Sequence, residues 1–365
     1  MALPEMADDN HDFLPIEWEE AANAVAYDSI TSPPPICVIC GPPKSGKSTF
    51  SRHLVNVLIR RYRRVAYMDA DVGQPEFTIS GCLSLTVIDE VTLDLAIPCL
   101  RTPERCYFFG DITPTSDPKV YLAYVHALYD YYHEKYQQAV VKIGVPLVVN
   151  TLGWTEVIGF DILVEMLKHI APTQVVKIRV SAENMNLPPG PFWLKDGPAH
   201  QEVTLVEIKS NFQNSFKELV QPQNDEHLLR DVRLLAYFRK CVPNNMSLTT
   251  VEELDHELAV HPPYEILISS VTFKQLHPEI PRADTSSSII VGLAVSSSSS
   301  EGLPCCVGLG IVRGVDTSTN TLYLITPVPT SILENVDLLL HGIIKIPACL
   351  QQVQRQMASN TILTN

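Results

Sequence analysis

The segment Gly41-Pro-Pro-Lys-Ser-Gly-Lys-Ser48 constrains this chain more than any other stretch of its sequence. It matches the pattern G-x-x-x-x-G-K-[ST] in full, and it follows an apolar run at 36–40 that we predict to be a buried strand. Two glycines allow the backbone to curl so that its N–H groups face phosphate oxygens, and the helix that follows presents its positive end to them. The segment therefore predicts a phosphate-binding loop between a strand and a helix.

The side chains of this loop predict how ATP and Mg²⁺ would be held. Lys47 can reach the β- and γ-phosphate oxygens, and the hydroxyl of Ser48 can ligate Mg²⁺. The alternative is a glycine-rich turn without a ligand, which the strand before the motif and the helix after it argue against. We assign nucleotide binding to nine consecutive residues: Gly41, Pro42, Pro43, Lys44, Ser45, Gly46, Lys47, Ser48 and Thr49.

Two carboxylates follow the next apolar run, at 65–68, which we also predict to be a strand. Acidic residues at the tip of a strand beside a phosphate loop can hold the Mg²⁺ ion or accept a proton from an attacking group. Asp69 and Asp71 are two positions apart, so their side chains lean to one face. One could bind the metal while the other serves as base, and the alternative is a polar strand end followed by a turn.

The order of apolar runs predicts the fold. From residue 36 to about residue 180, runs typical of strands alternate with runs of helical period, which indicates a parallel sheet covered on both faces. After residue 245, short β-rich runs indicate a smaller β-domain, for which a barrel is one possibility. We therefore predict an α/β fold: a P-loop NTPase-type parallel sheet flanked by helices, with a small C-terminal β-rich domain. We divide the chain into an N-terminal segment (1–34), a P-loop kinase domain (35–244) with a lid near 226–240, a β-rich domain (245–350) and a tail (351–365).

Charge and cysteine usage restrict the partners. The 365 residues carry a formal net charge of −14, whereas a protein that holds nucleic acid by bulk charge is basic. Any nucleic-acid contact must therefore be a local groove. Cys37 and Cys40 are three apart on a predicted strand and should face opposite sides, which argues against a metal or redox pair. Free thiols suggest a reducing compartment.

The sequence shows no apolar run long enough to span a membrane and no signal-peptide core at its N-terminus, so we expect an intracellular protein without a membrane partner.

A third motif, Asn150-Thr-Leu-Gly-Trp154, ends another predicted buried strand. The carboxyl ends of strands form the ligand side of open α/β sheets, and a tryptophan there can stack on a base of any sequence. A tryptophan that packs in the core is the alternative for Trp154. The chain lacks the Asn-Lys-x-Asp of GTPases and the Leu-Ser-Gly-Gly-Gln of ABC-type ATPases.

The three motifs, in this order and spacing, resemble the polynucleotide 5′-hydroxyl kinase family. The chain is more similar to the nucleolar, pre-rRNA-processing branch of that family, and the similarity covers roughly residues 15–350. Four segments carry it: Asp71-Val-Gly-Gln-Pro-Glu-Phe77, Tyr107-Phe-Phe-Gly-Asp-Ile-Thr-Pro114, Val149-Asn-Thr-Leu-Gly-Trp154 and Arg230-Asp-Val-Arg-Leu-Leu-Ala-Tyr-Phe238.

The resemblance implies transfer of the γ-phosphate of ATP to the 5′-hydroxyl of RNA or DNA, and it implies a role for each matching residue. Asp71 matches the general base, and Asp69 with Ser48 belongs to the metal network. Arg230 and Arg233 fall in the family's lid, where arginines steady the transferring phosphoryl group. The remaining matches concern the substrate: Thr151 and Trp154 as a clasp on the strand end, with Gln74 beside them.

The resemblance also implies a setting: pre-rRNA maturation in the nucleolus, where an endoribonuclease partner leaves a 5′-hydroxyl in the second internal transcribed spacer. Family members carry a substantial domain before the kinase that helps to bind adenine, whereas about 35 residues precede the first predicted strand here. We therefore expect either adenine contacts from elsewhere, with Trp18 and Tyr27 as candidates, or loose recognition of adenine. Two other functions stay open: a small-molecule or nucleoside kinase, and an ATP-binding scaffold of an RNA-processing complex.

Overall fold

The structure is a computed structural model. It describes residues 14–26, 33–91, 100–138, 144–153, 157–194, 203–211, 222–243, 245–277, 289–297, 302–350 and 352–353.

A seven-stranded sheet forms the first half of the described chain, in the order β4-β3-β2-β5-β1-β6-β7. Five neighbouring strands, from β2 to β7 in that order, run parallel. The strands are β1 (Ile36–Cys40), β2 (Val65–Asp69), β3 (Cys82–Ile88), β4 (Arg105–Phe108), β5 (Leu147–Asn150), β6 (Gln174–Arg179) and β7 (Thr204–Lys209).

The five parallel strands confirm the predicted parallel sheet, and β3 adds an antiparallel part that the sequence did not indicate. β3 pairs antiparallel with both β2 and β4. The reason lies in the connection from β2 to β3, residues 70–81, which contains no helix. Parallel neighbours need a long crossover, usually helical, whereas a short return places the next strand antiparallel. β3, β4 and β7 were not predicted from the sequence.

Helices cover both faces of this sheet, as the alternation of runs predicted. α1 (Ile16–Ala26) and α2 (Lys47–Tyr62) share an apolar core with Cys37 and its face of the sheet. α3 (Pro118–Tyr132) and α4 (Val157–Ile170) share another core with Cys40. The two thiols therefore face opposite sides, as predicted, and burial raises the pKa of Cys40 to about 12.

The second sheet has six strands in the order β8-β12-β11-β10-β13-β9. The described pairings leave β8 and β9 as edges, so this sheet is open and not the barrel that we considered. The β-rich run at 264–273 contains two strands, β8 and β9, which a short turn separates and which lie at opposite edges. The elements are α5 (Pro222–Phe238), α6 (Val251–Val260), β8 (Tyr264–Leu267), β9 (Thr272–Gln275), β10 (Ile289–Val295), β11 (Cys305–Asp316), β12 (Thr321–Ile325), α7 (Thr330–Leu333) and β13 (Leu338–Lys345).

The two sheets share one apolar core. Phe108, at the edge of the first sheet, lies so close to β10 that a Cβ at Gly292 would be 2.5 Å from its ring. Leu234 and Phe238 of α5 belong to the same core, together with strands β10 to β13. The domain boundary at 244/245 stays a prediction. Leu234 and Phe238, which precede it, pack in the core of the second sheet.

No described helix combines the length and the hydropathy that crossing a bilayer requires.

Candidate active site

The phosphate loop joins β1 to α2 at the carboxyl edge of the first sheet. A Cβ at Gly41 would lie 2.6 Å from the carbonyl oxygen of Ile178, so only glycine lets the loop run this close to β6. Gly46 has a φ of 97° and forms the N-cap of α2, a backbone conformation that favours glycine. The motif therefore has the backbone shape that its sequence predicted.

The ammonium group of Lys47 lies inside this loop. Lys47 is buried, and its Nζ donates to the carbonyl oxygen of Pro42 at 2.7 Å. Burial lowers the pKa of Lys47 to about 8, against the opposing effect of the negative charge of Asp71. Gly153 closes one side, because a Cβ there would be 2.7 Å from this Nζ and 2.6 Å from the Cα of Pro43.

The remaining loop residues differ in exposure. Ser45 is buried, and its hydroxyl finds no hydrogen-bond partner among the described residues. Pro43 and Lys44 are exposed, and Ser48 and Thr49 are half-buried in the first turn of α2. The loop thus presents polar groups at a single edge of the sheet.

Asp69 ends β2 with its carboxylate fully buried. Its oxygens accept from the backbone N–H of Glu76 at 2.6 Å and from that of Asp71 at 3.2 Å. Burial raises the pKa of this carboxyl to about 7, because the desolvation of the charged form outweighs these hydrogen bonds.

Asn150, at the end of β5, joins the two predicted metal ligands. Its Nδ2 donates to Oδ1 of Asp69 at 3.2 Å and to the hydroxyl of Ser48 at 3.3 Å. Its Oδ1 is buried without a hydrogen-bond partner among the described residues. A buried acceptor that lacks a donor is costly, so this atom marks a place where a polar ligand or a metal-bound water fits.

Asp71 lies on the turn that follows β2, within the electrostatic influence of Lys47. Its Oδ1 accepts from the N–H groups of Gly73 at 3.0 Å and Gln74 at 2.9 Å. Burial raises the pKa of this carboxyl, while those N–H groups and the charges of Lys47 and Arg233 partly offset the rise. A raised pKa makes a carboxylate a better proton acceptor.

Helix α5, the predicted lid, touches this turn through Gln74. The Nε2 of Gln74 donates to the carbonyl oxygen of Glu226 at 3.0 Å, and its Oε1 accepts from Nη1 of Arg233 at 2.8 Å. Glu226 also pairs with Lys44 of the phosphate loop at 3.2 Å, between partly exposed side chains. Arg230 lies one turn before Arg233 on the same helix and is half-buried.

Of the three predicted substrate residues, Thr151 and Gln74 are described, and both form hydrogen bonds within the protein. The hydroxyl of Thr151 is buried and donates to the carbonyl oxygen of Ile39 at 2.8 Å, so it links β5 to β1. Gln74 lies between the Asp71 turn and the lid, with both ends of its amide bonded to α5. Trp154 lies outside the described residues.

The expectation that Trp18 contacts adenine is wrong. Trp18 is fully buried, its ring meets that of Phe50 edge-on at 5.6 Å, and its Nε1 donates to the carbonyl oxygen of Lys209. This side chain anchors α1 to the sheet. Tyr27, the other candidate, lies outside the described residues.

Three residues of this site were not predicted from the sequence. Asn150 begins the third motif and had no predicted role, although a polar residue that ends an apolar strand is a usable signal for a site. Gly153 and Glu226 gave no such signal, because their contacts with the phosphate loop depend on tertiary structure.

Family models and known proteins resemble the chain along most of its length. The model described as mRNA cleavage and polyadenylation factor CLP1 P-loop matches residues 41–240, and the model for the NOL9-like C-terminal domain matches residues 259–347. The polynucleotide 5′-hydroxyl-kinase NOL9 of Arabidopsis thaliana is 49% identical over 348 residues, which cover 94% of each chain. The NOL9 proteins of Danio rerio and Homo sapiens are 30% and 26% identical, over 87% and 88% of this chain. The chain spans about half of their lengths, 47% and 51%.

A solved structure, that of the wild-type Clp1p–Pcf11p complex, aligns with a TM-score of 0.62 at 14% identity, over 90% of this chain and 78% of the solved chain. This likeness confirms the predicted α/β fold class.

Proposed function

Since the chain belongs to the family of CLP1-type and NOL9-like polynucleotide 5′-hydroxyl kinases, as its three motifs predicted, we propose that it transfers the γ-phosphate of ATP to the 5′-hydroxyl of an RNA strand. One observation carries the chemistry: a single edge of the sheet holds a buried lysine, a carboxylate–hydroxyl pair joined by Asn150, and a second carboxylate of raised pKa. DNA with a 5′-hydroxyl is the other acceptor that this chemistry allows.

The residues present fit ATP and Mg²⁺. Ser48 and Asp69 would hold Mg²⁺, and Asn150 would orient both of them. Among the described residues no group of three or more His, Cys, Asp or Glu side chains suits a metal by itself, so phosphate oxygens and water would complete the shell. When bound, the ion supplies positive charge that neutralises the phosphate oxygens. The nucleotide residues are those of the loop from Gly41 to Thr49.

The chain's own residues would then support an in-line transfer. Asp71 accepts the proton of the 5′-hydroxyl as its oxygen bonds to the γ-phosphorus, while the bond from that phosphorus to the β–γ bridging oxygen breaks and ADP leaves. Lys47 and the lid residues Arg230 and Arg233 offset the negative charge on the equatorial oxygens. Most of the acceleration would come from positioning and fixed charge.

The strand would be held by its end. A net charge of −14 argues against binding a long polyanion by bulk charge. The clasp of Thr151 and Trp154 would grip the terminal nucleotide. Because the hydroxyl of Thr151 already bonds to Ile39, this residue would act by fixing the course of the clasp.

The family also supports a biological setting for the proposal. A kinase of the nucleolar branch would act in pre-rRNA maturation, on the 5′-hydroxyl that an endoribonuclease leaves in the second internal transcribed spacer. The endoribonuclease as partner and the nucleolus as location rest on this relationship.

The decisive experiment offers γ-labelled ATP with three acceptors: a ten-nucleotide RNA, the same sequence as DNA, and a mononucleoside, all with 5′-hydroxyls. The wild-type protein should label the strands far faster than the mononucleoside. Lys47→Ala and Asp71→Asn should each lower kcat by about 10³-fold, because each removes charge or proton transfer from the reacting atoms. Lys240→Ala, at the far end of the lid, serves as the matched control.

Each competing function predicts a different result. Equal labelling of mononucleoside and strand would indicate a nucleoside kinase. ATP binding without product on any acceptor would indicate a scaffold. Near wild-type labelling by Lys47→Ala would contradict the assignment of the phosphate loop.

A further inference from the structure

Strand β13 of the second sheet reaches into the first sheet at one point, beside the loop that follows β4. The N–H of Ile343 donates to the carbonyl oxygen of Gly110 at 2.7 Å, so a backbone hydrogen bond joins β13 to the loop after β4. The ring of His277, which follows β9, donates from Nε2 to the carbonyl oxygen of Phe109 at 2.8 Å. Two neighbouring carbonyls of this loop are therefore held by the second sheet.

The contact between the two backbones is very close. A Cβ at Gly342 would lie 2.3 Å from the oxygen and 2.4 Å from the Cα of Gly110. Gly110 has a φ of 77°, and a Cβ there would lie 2.8 Å from the Cα of Gly342. Since the atoms in the way are backbone atoms, a side chain at either position forces the two sheets apart.

Backbone hydrogen bonds continue from this contact to the turn after β2 that carries Asp71, which we call the catalytic turn. The N–H of Gly110 donates to the oxygen of Gly81 at 3.0 Å, and the N–H of Gly81 donates to the oxygen of Val72 at 2.8 Å. Val72 is the residue after Asp71. Three hydrogen bonds thus lead from Ile343 of the second sheet to the peptide beside the proposed base.

Two packing contacts run alongside these bonds. The side chain of Ile344 lies against Gly81, where a Cβ would be 3.0 Å from its Cγ1. The carbonyl oxygen of Ile112 lies against Gly73, where a Cβ would be 3.0 Å away, and Gly73 donates to Asp71. Asp111 fixes the loop between them, since its buried carboxylate accepts from the N–H of Ile112 at 2.6 Å.

We propose that β13 is a positioning element for the catalytic turn, and that Gly342 is its critical residue. The proposal rests on the proposed function, because the turn matters through Asp71. The second sheet then contributes to phosphoryl transfer through position: β13 fixes where the backbone at Gly110 lies. Through the hydrogen bonds described above, Gly110 in turn fixes the positions of Gly81 and Val72. A shift of about 1 Å at a reacting group costs on the order of 10²-fold in rate.

Gly342→Ala tests this coupling, and Gly310→Ala is its matched control. A Cβ at Gly310 would also be crowded, at 2.6 Å, but its three nearest atoms all belong to the side chain of Leu324 in the same sheet. Both variants add a crowded methyl group to the second sheet, but only Gly342→Ala displaces backbone atoms next to the first sheet. The measurements are kcat and KM for ATP, the thermal midpoint, and amide hydrogen exchange over residues 72–81.

Gly342→Ala should lower kcat at least about tenfold with KM for ATP within about twofold, and should speed exchange at Gly81. Gly310→Ala should lower the thermal midpoint alone. Unchanged kcat in folded Gly342→Ala, an equal kcat loss in Gly310→Ala, or a kcat loss without faster exchange would each overturn the proposal.

Two further measurements keep the result interpretable. If Gly342→Ala does not fold, Ile344→Ala, at a half-buried position, should give a smaller kcat loss with the same exchange change at Gly81. Unchanged exchange in Ile344→Ala would overturn the coupling. A wild-type protein inactive on every acceptor would overturn the proposed function, and the exchange comparison would still decide the coupling.

Discussion

The carboxyl ends of β1, β2 and β5 form the floor of the site, and buried polar groups stabilise it. The lid helix α5 contacts the site through side chains that are partly exposed. On the floor, Asp69, Asn150 and Lys47 are almost completely buried and bonded to one another or to backbone. The lid meets the same site through Gln74 and through an ion pair of Lys44 with Glu226, whose side chains are 42% and 44% exposed.

This contrast implies different roles for the two regions. Hydrogen bonds to buried charged groups contribute about 1.5–3 kcal/mol each, and leaving such a group unpaired costs more. An exposed ion pair contributes about 0–1 kcal/mol. The floor should therefore be preformed before any substrate arrives, while the ion pair between Lys44 and Glu226 of the lid can be broken at small cost.

The largest expected effect tests whether the lid takes part in the chemistry or merely covers it. Arg233→Ala should lower kcat by about 10²-fold, because it removes a charge-assisted donor from the transferring group and from Gln74. Arg233→Lys should recover only part of this loss, since an ammonium group lacks the planar fork. Steady-state rates on a 5′-hydroxyl RNA measure both.

Lys240→Ala, two residues beyond the end of the same helix, should leave kcat unchanged. A fall in ATP affinity without a fall in kcat for Arg233→Ala would make the lid a cover alone.

An intermediate effect concerns the floor. The raised pKa of Asp69, about 7, means that below this pH the carboxyl is protonated and a proton competes with Mg²⁺. The Mg²⁺ concentration for half-maximal activity should therefore rise about tenfold for each pH unit below 7 and level off above about pH 8. Mg²⁺ titrations of the rate, and of nucleotide binding by calorimetry, measure this dependence.

ATP itself also binds protons and metal, so Asp69→Asn provides the reference for its contribution. The steep dependence should be absent in that variant. A Mg²⁺ requirement that changes equally with pH in both proteins would show that the buried carboxylate is not a ligand.

The smallest effect concerns the contact between floor and lid. Glu226→Gln removes the charge opposite Lys44 and keeps the backbone carbonyl that Gln74 uses. KM for ATP should rise about two- to threefold, and added salt should reduce the difference. Glu252→Gln, at the start of α6, is the control for a lost surface charge. A rise in KM above tenfold would show that the Lys44–Glu226 ion pair is as strong as the buried contacts of the floor, which would contradict the contrast between floor and lid.

The parts of the fold that were predictable are those written in adjacent residues. The phosphate loop, the helix after it and the carboxylates at the tip of β2 follow from short motifs next to apolar runs. β3 was not predictable in this way, because Ser84 and Thr86 interrupt its apolar pattern while being buried. Its direction depends on the absence of a helix before it, which no motif states.

The site shows the same limit. Asp69 and Asp71 are two residues apart, and their proximity follows from spacing. Asn150 is 81 residues from Asp69, and their contact exists because β5 pairs with β2 in register, Asp69 opposite Asn150. The Glu226 contact depends on where α5 docks. Pairings between distant segments arise from tertiary packing and not from local pattern.

Gly153 has a consequence for inherited variation. Every missense change at a glycine codon adds at least a Cβ, which here would meet the Cα of Pro43 and the ammonium of Lys47 within 2.7 Å. Such an allele would crowd the lysine to which we assign the phosphate oxygens, and the atoms in the way belong to the phosphate loop and not to an apolar core. We therefore expect such an allele to lower turnover more than abundance, so a survey of protein abundance would miss a defect that an assay of turnover would reveal.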